Sequence, residues 1–234
     1  MITQIGIDAD DTLWDEASRF EAAEAKFLEH VAPLLRVEDL RSELREFHFS
    51  LLQQMGYGPE GYYKALETFC RQKLEQGHIE QAISTARHIC NEIMESPFSP
   101  LPGITESLEI LRKTAKLTLV TKGDPAAQRR KLESSGLSWA FSDVVIVKHK
   151  SADLYRALFG TPKRRAHAAM IGNSLKSDVL PAIEAGAYGI FVPHYCEAPL
   201  EVASKPERDP LFREFNRLYD ASIWLSTAYL EADL

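Results

Sequence analysis

The stretch IGIDADDTLW, residues 5–14, takes a short apolar run directly into an acidic turn. The apolar run predicts a β-strand, and side chains in a strand alternate between faces, so Asp8 and Asp10 are predicted to project to the same side where the strand ends. Two crowded carboxylates repel each other unless a cation or a shared proton relieves them. Such a pair can hold magnesium, or one Asp can attack a substrate while the other transfers a proton.

The composition narrows the class of protein. The chain has 234 residues, of which 45% are hydrophobic and 26% charged, and this is typical of a globular protein with one core domain and a sizeable insertion. The formal net charge of −7 argues against nucleic acid as a partner. An anionic small molecule stays compatible with this charge, because local lysines and a metal ion can reverse the field within one site.

Membrane and export signals are not evident in the sequence. The first residues contain no basic segment followed by a long apolar one, and no run of eighteen apolar residues occurs. The cysteines, Cys70, Cys90 and Cys196, are odd in number and lack the paired spacing of a metal site, so we expect reduced thiols. We therefore expect no membrane partner and a cytoplasmic location.

Residues 15–96 have the pattern of a helical insertion. Breaks at Pro33, 56–59 and 76–78 divide this segment into four helices, which predicts a small antiparallel bundle. The helical spacing of apolar positions is clearest at Leu40, Leu44, Phe47 and Leu51.

Strands and helices alternate after the proline-rich boundary at 97–103. Strands are predicted at 117–120, 144–147, 168–171 and 189–192, and helices at 104–114, 125–135, 152–159 and 177–185. This alternation, together with the first strand, predicts an α/β fold with a doubly wound parallel sheet, a Rossmann-like core. The predicted domains are a catalytic core of residues 1–14 and 97–234 and a helical cap of residues 15–96. Residues 193–210 are predicted to be loop-rich, before a last apolar stretch at 211–230.

Ligands of such sheets bind beyond the carboxyl ends of the strands, so the residues at those ends matter most. Thr121 offers a hydroxyl and the turn at Lys122 offers backbone N–H groups, as a phosphate requires, although a capping Thr is an equally good interpretation. Lys148 and Lys150 follow the third strand and can neutralise a phosphate or a carboxylate, or can simply be solvated lysines.

The fourth strand end carries candidate ligands for a hard cation. Gly172 allows close approach of the backbone, and Asn173 and Asp178 supply oxygen atoms. The alternative is an ordinary helix cap, with Ser177 as N-cap and Asp178 favoured by the helix dipole.

These four strand ends, taken in order, resemble the haloacid dehalogenase superfamily in its phosphatase branch. The first family motif matches Asp8, Asp10, Thr12 and Leu13, the second matches Thr121, the third matches Lys150 with Lys148 as the rival, and the fourth matches Gly172, Asn173 and Asp178. The helical insertion stands where this family carries its cap. Two positions depart from the family pattern: Asp11 stands where Gly is usual, and Asn173 replaces an acid that is commonly a magnesium ligand.

The resemblance implies a mechanism and a cofactor. Asp8 is expected to attack phosphorus and form an aspartyl-phosphate, while Asp10 protonates the leaving group and then activates water. The implied magnesium ligands are Asp8, Asp10 through its carbonyl, Asn173 and Asp178. The implied phosphate-binding groups are Thr121, Lys122 and Lys150. The cap is expected to choose the substrate, a small phosphomonoester, and the candidate contacts are Trp14, Phe20, Arg41, Arg45, Tyr57, Tyr62 and Tyr63. For any one of them taken alone, a core aromatic or a solvated arginine is the better interpretation, with Tyr57, in its glycine-flanked loop between cap helices, as the exception.

Three other functions compete with this interpretation. A dehalogenase of the same superfamily usually lacks the acid at the position of Asp10, because a halide leaves without a proton. A phospho-accepting receiver needs its acid at the end of the third strand, where this chain has Val147 and Lys148. A binding protein without turnover is suggested only by Asn173. The substrate, a phosphomutase activity and the oligomeric state remain open from the sequence.

Overall fold

The computed structural model describes residues 2–35, 37–56, 58–196 and 201–230. The chain divides into two compact units, one formed by Met1–Asp15 with Phe98–Leu234 and the other by Glu16–Pro97. The cap role that the sequence suggests for the second unit stays a prediction. Within the described ranges, no helix combines the length and the apolar character needed to cross a membrane.

In the part of the second unit that the structure describes, four α-helices surround an apolar core. They are α1 (Ala17–Val31), α2 (Leu40–Met55), α3 (Pro59–Lys73) and α4 (Gln76–Glu95). Phe27, Leu66 and Phe69 are fully buried in this core. The predicted break at 76–78 is wrong by two residues, because the extended backbone lies at Leu74 and Glu75 and α4 already begins at Gln76.

Most candidate substrate contacts of this unit have structural roles. Tyr62 and Tyr63 belong to the buried core, and Phe20 packs edge-on against Tyr62. Arg41 and Arg45 both pair with Glu24. Tyr57 lies outside the described residues.

The described residues of the first unit form one sheet of six parallel strands. The strands are β1 (Gln4–Ile7), β2 (Lys116–Lys122), β3 (Asp143–Val147), β4 (Ala168–Gly172), β5 (Tyr188–Phe191) and β6 (Phe212–Glu214), in the order β3-β2-β1-β4-β5-β6. β4 is buried along its whole length, as expected for a strand covered on both faces. The predicted fold class is confirmed. The sequence missed β6, because its three residues lie at the start of an apolar stretch that continues as a helix.

Helices cover both faces of this sheet. They are α5 (Ile104–Arg112), α6 (Pro125–Ser134), α7 (Ala152–Phe159), α8 (Pro162–Arg165), α9 (Leu180–Glu184) and α10 (Leu218–Leu230). Apolar residues of α5 and α10 pack with Ile5 and Ile7 in one core cluster. Residues of α7 and α9 pack with Val120 and Met170 in another.

The helical segment after β4 begins earlier than predicted. A wide, π-type turn, Leu175–Val179, precedes α9. Its N-cap is Ser174, not Ser177, because the Ser174 hydroxyl accepts the backbone N–H of Ser177 at 2.9 Å. An N-cap oxygen satisfies an N–H that the first turn leaves without a helical partner. Ser177 is thereby placed inside the turn.

Candidate active site

Lys150 joins two carboxylates that follow different strands. Lys150 follows β3, Asp8 directly follows β1 and Asp178 follows β4. The Lys150 ammonium donates to Asp8 Oδ1, and it donates to Asp178 Oδ1 at 2.6 Å. The Lys150 side chain is only 1% exposed. Lys148 is exposed. The structure therefore brings Lys150, and not its rival, to the first acid of the acidic turn.

The charges of Lys150, Asp8 and Asp178 influence one another. Burial alone lowers the pKa of Lys150, but the negative charges of Asp178 and Asp8 outweigh it and the pKa rises. The pKa of Asp178 rises to about 7 because its carboxylate is buried and faces Asp8, an effect that Lys150 only partly opposes. Two buried carboxylates with one ammonium leave an excess negative charge, which a further cation relieves.

Thr12 links Asp8 to the candidate ligand Asn173. Its hydroxyl lies 3.3 Å from Asp8 Oδ2 and 3.2 Å from Asn173 Oδ1, and the backbone N–H of Asn173 donates to the same hydroxyl at 3.1 Å. A hydroxyl has one proton, so it can donate to only one of these two acceptors at a time. The side-chain oxygens of Asp8 and Asn173 therefore lie close to one shared donor.

Asp10 has a separate set of partners. Its carboxylate accepts from Lys131 at 2.8 Å, from Trp14 Nε1 at 2.7 Å and from Gln128 Nε2 at 2.7 Å. The alternation of side chains along a strand, from which Asp8 and Asp10 were predicted to project to the same side, does not apply to these residues. β1 ends at Ile7, and both Asp8 and Asp10 lie beyond it. Each of the two acids is bound by its own lysine.

The environment of Asp10 favours its ionised form. Burial raises the pKa of Asp10, but the charge of Lys131 and the hydrogen bonds from Lys131, Trp14 and Gln128 together hold it below its usual value. Asp10 is therefore a carboxylate in this arrangement.

Asp11 has a left-handed backbone conformation. Its φ is 61°, a region in which glycine is unstrained and Asp is tolerated better than most residues. This explains how Asp can stand where relatives usually have Gly.

His194 lies near two acidic residues, with Nδ1 4.0 Å from Asp11 and Nε2 3.9 Å from Asp15. Potential metal-ligand atoms of Asp11, Asp15 and His194 lie within 4.8 Å of one another, and this group includes none of the residues predicted to hold magnesium.

The predicted phosphate-binding residues of β2 are engaged within the chain. Thr121 is buried, and its hydroxyl lies 3.4 Å from the carbonyl oxygen of Lys122. The Lys122 ammonium contacts Glu201 and Ser177. The N–H of Gly123 donates to the carbonyl of Val147 at 3.2 Å. Phosphate binding by Thr121 and Lys122 stays a prediction.

Three residues of this site were missed from the sequence. Gln128 and Lys131 lie three residues apart in α6, so they share a helix face, and two polar residues on a face that covers a sheet were a usable signal. Glu201 gave no such signal, because it lies in the loop-rich segment after β5, where an isolated acid is ordinarily solvated.

Residues 2–186 match the family profile of haloacid dehalogenase-like hydrolases. The chain belongs to this family. The resemblance seen in the sequence is confirmed, and the protein is a hydrolase of the haloacid dehalogenase-like family. One relative is pyrimidine 5'-nucleotidase YjjG of Escherichia coli (strain K12), with 30% identity over 143 residues. This match covers 57% of the present chain and 60% of the relative.

Solved structures share the fold over nearly the whole chain. A haloacid dehalogenase-like family hydrolase from Xanthomonas campestris has a TM-score of 0.77 and 27% identity, covering 100% of this chain and 95% of the other. The 2-haloacid dehalogenase of Pseudomonas syringae has a TM-score of 0.63 and 20% identity, covering 98% of this chain and 100% of the other. At that identity the second likeness concerns the fold alone.

Hydrolases of this family generally use magnesium, and the residues of this chain suit such an ion. Asp8, Asn173 and Asp178 offer carboxylate and amide oxygens, the donors that magnesium prefers. Asp8 and Asp178 share Lys150, and Asp8 and Asn173 share Thr12, so these side chains converge. The raised pKa of Asp178 adds a second reason, because a bound cation stabilises its ionised form.

Gly172 keeps space open for the Asp178 carboxylate. A Cβ at this position falls 2.2 Å from Asp178 Oδ2, far inside van der Waals contact. We expect Gly172→Ala to displace Asp178 and to weaken magnesium binding at least roughly tenfold, the loss typical of disturbing the support of a metal ligand. Calorimetric titration with Mg²⁺ measures it. Gly136→Ala is the control for a substitution at a glycine, because a Cβ there meets no atom within 4 Å. Its φ of 70° adds backbone strain, so only its magnesium affinity, and not its stability, is compared.

The raised pKa of Asp178 predicts that magnesium binding depends on pH. The ionised Asp178 carboxylate would be the form that binds the cation, so protons should compete below about pH 7 and the affinity should fall by up to about tenfold per pH unit. The stability of the metal-free protein should depend on pH in the opposite direction. Between pH 3.8 and about 7 the folded state binds more protons at Asp178 than the unfolded state does, so the contribution of Asp178 to the free energy of unfolding falls as the pH rises. Calorimetry at pH 6 and 8, in two buffers of different ionisation enthalpy, should show weaker binding and proton release at pH 6. Equal affinity at both pH values contradicts this.

Proposed function

We propose that this protein is a magnesium-dependent phosphomonoesterase that acts on a small phosphorylated metabolite through an aspartyl-phosphate on Asp8. The observation that carries the proposal is that two neighbouring acids form ion pairs with different lysines. Asp8 pairs with Lys150, and Asp10 pairs with Lys131. A displacement in two steps needs this division, because one group must bond to phosphorus while the other handles protons.

Asp8 is the nucleophile in this mechanism. Lys150 holds Asp8 Oδ1, whereas the contact of Oδ2 with the Thr12 hydroxyl is long, 3.3 Å, so Oδ2 is the more available oxygen. Its attack forms an O–P bond as the bond from phosphorus to the leaving oxygen breaks. Water then attacks the aspartyl-phosphate, which releases inorganic phosphate and regenerates the Asp8 carboxylate.

Asp10 transfers the protons. Its ionised form, which Lys131, Trp14 and Gln128 favour, is the form that takes a proton from the attacking water in the second step. The first step needs the protonated form, and the approach of a negatively charged phosphoryl group shifts Asp10 towards it. The same carboxylate therefore serves both steps at opposite protonation states.

Magnesium would be held by Asp8, Asn173 and Asp178, with the Asp10 carbonyl, and it supplies positive charge that offsets the repulsion between a carboxylate and a phosphate. Lys150 supplies a fixed positive charge at Asp8 in addition. Thr121 and the backbone near Lys122 are the further groups proposed to bind the phosphoryl oxygens.

The test is hydrolysis of a panel of phosphomonoesters with Mg²⁺ and with EDTA. Nucleoside 5'-monophosphates, pyrimidine and purine, come first because the Escherichia coli relative is a pyrimidine 5'-nucleotidase. Sugar phosphates follow. We expect phosphate release that needs Mg²⁺, and a lack of release from every phosphomonoester in the panel contradicts the proposal.

A dehalogenase is the competing outcome. Asp10 argues against it, because a halide leaves without protonation and the first step of that reaction needs no acid at this position. The partly buried Asp10 carboxylate is nevertheless held in place by three hydrogen-bond donors. Assaying chloride release from a 2-haloacid in the same experiment separates the two reactions. Chloride release without phosphate release assigns the chain to the dehalogenases.

Asn173 is expected to limit magnesium affinity. It supplies a neutral oxygen where relatives have an acid, so Asn173→Asp adds one negative charge to the site. We expect a gain of about 1 kcal/mol, roughly a fivefold lower magnesium concentration for half-maximal activity. Crowding with Asp178 offsets this gain if it raises a carboxylate pKa further. Exposed Asn216→Asp is the matched control. Raising the pH ionises both carboxylates and removes this offset, so a mutant that needs equal or more magnesium at every pH places Asn173 outside the metal's ligands.

A further inference from the structure

Glu201 is bound by three side chains at the carboxyl ends of two different strands. Its Oε1 accepts from the Lys122 ammonium at 2.6 Å. Its Oε2 accepts from the Ser174 hydroxyl at 2.5 Å and also from the Ser177 hydroxyl. Lys122 in turn donates to the Ser177 hydroxyl at 3.0 Å. Lys122 ends β2 and the serines follow β4, so this group connects two strand ends that have β1 between them.

This ion pair differs from an ordinary surface pair. The side chains of Lys122 and Glu201 are 18% and 14% exposed, compared with 41% and 33% for Lys205 and Glu214, which form a pair of similar length. Burial raises the pKa of Glu201, but the charge of Lys122 and the hydrogen bonds from Lys122 and the two serines lower it to about 2. Glu201 is therefore ionised at neutral pH.

The two serines belong to the turn that carries the candidate magnesium ligands. The backbone N–H of Ser174 donates to Asp178 Oδ2 at 3.1 Å, and the Ser174 hydroxyl accepts the N–H of Ser177 at 2.9 Å. Asn173 directly precedes Ser174. A side chain that fixes both serine hydroxyls therefore restrains the residue whose N–H binds the Asp178 carboxylate and the residue that directly precedes Asp178.

We infer that Glu201 is a positioning residue for the magnesium site, acting through Ser174 and Ser177 on the turn that holds Asn173 and Asp178. Lys122 is the counter-ion that keeps the Glu201 carboxylate in place. The inference rests on the proposed use of magnesium. It assigns a role to a residue of the loop after β5, outside the strand ends that carry the family motifs.

Glu201→Gln tests the inference with minimal change of shape. One amide group offers a single oxygen, whereas Glu201 uses one oxygen for Lys122 and the other for both serines. The NH₂ group must then face either an ammonium or two hydroxyls. We expect Mg²⁺ affinity, measured by calorimetry on the full chain, to fall about tenfold, as for other groups that support metal ligands. Glu214→Gln, which removes the same charge from the exposed pair, should leave the affinity unchanged.

Ser177→Ala separates positioning from simple loss of charge. It removes the hydroxyl that contacts Lys122 and Glu201 without changing any charge. If Glu201 acts through the turn, Ser177→Ala should also weaken Mg²⁺ binding several-fold. If Glu201 attracts the cation only by its charge, Ser177→Ala should bind Mg²⁺ as the wild type does, and this result overturns the inference.

Hydrogen exchange gives a readout that needs neither magnesium nor turnover. In metal-free protein, peptides covering 172–180 should exchange faster in Glu201→Gln and Ser177→Ala than in the wild type and Glu214→Gln. Unchanged exchange in both variants overturns the inference. A protein that hydrolyses no phosphomonoester, yet shows the faster exchange and the weaker Mg²⁺ binding, refutes the proposed reaction and leaves the role of Glu201 standing.

Discussion

Asp8→Asn is expected to lower phosphomonoester hydrolysis by a factor on the order of 10⁴ or more, because an amide oxygen cannot replace a carboxylate as nucleophile. The change preserves the size of the side chain. Lys150 retains Asp178 as its counter-ion, so we expect the fold to survive. Turnover at saturating substrate and Mg²⁺ measures the effect, and thermal unfolding checks the fold. In the wild-type protein, mass spectrometry of a trapped intermediate should locate the phosphoryl group on Asp8.

Asp11→Asn is the matched control for this variant. Asp11 lies in the same acidic turn, and Asn is also tolerated at its left-handed φ of 61°. We expect its activity to stay within a few-fold of the wild type. An adduct on Asp10, or substantial activity in Asp8→Asn, refutes the assignment of the nucleophile.

Lys150→Met is expected to have the largest effect on stability. It leaves Asp8 and Asp178 without their shared ammonium, and removing one partner of a buried ion pair typically costs about 3–5 kcal/mol. Urea unfolding in EDTA at pH 8 measures the loss. The loss should be smaller at pH 6, because the pKa of Asp178 is raised and protonation then removes one of the two uncompensated charges. Added Mg²⁺ should recover part of the lost stability through binding to the folded state.

Lys148→Met is the control, and it also decides between the two lysines of the third motif. Lys148 is exposed, so we expect a change within about 0.5 kcal/mol. Equal losses in the two variants contradict the role given to Lys150. A loss confined to Lys148→Met reverses the assignment.

The sequence by itself determined five of the six strands of the sheet and the residues beyond their carboxyl ends. Alternating strands and helices after residue 103 admit little besides a parallel sheet, and in such a sheet the carboxyl ends meet at one edge. Asp8, Lys150, Asn173 and Asp178 could therefore be selected together, and the structure brings them into one connected group through Lys150 and Thr12. Backbone periodicity carries this information because it depends only on local residue order.

Only the tertiary structure decided which partner each acid has. Asp8 and Asp10 are two residues apart, yet one is bound by Lys150 and the other by Lys131, because the chain turns directly after Ile7 and strand alternation ends there. Glu201 reaches Lys122 across 79 positions of sequence. No local pattern encodes a contact made by a loop, since such a contact depends on how the folded sheet edge places the other side chains.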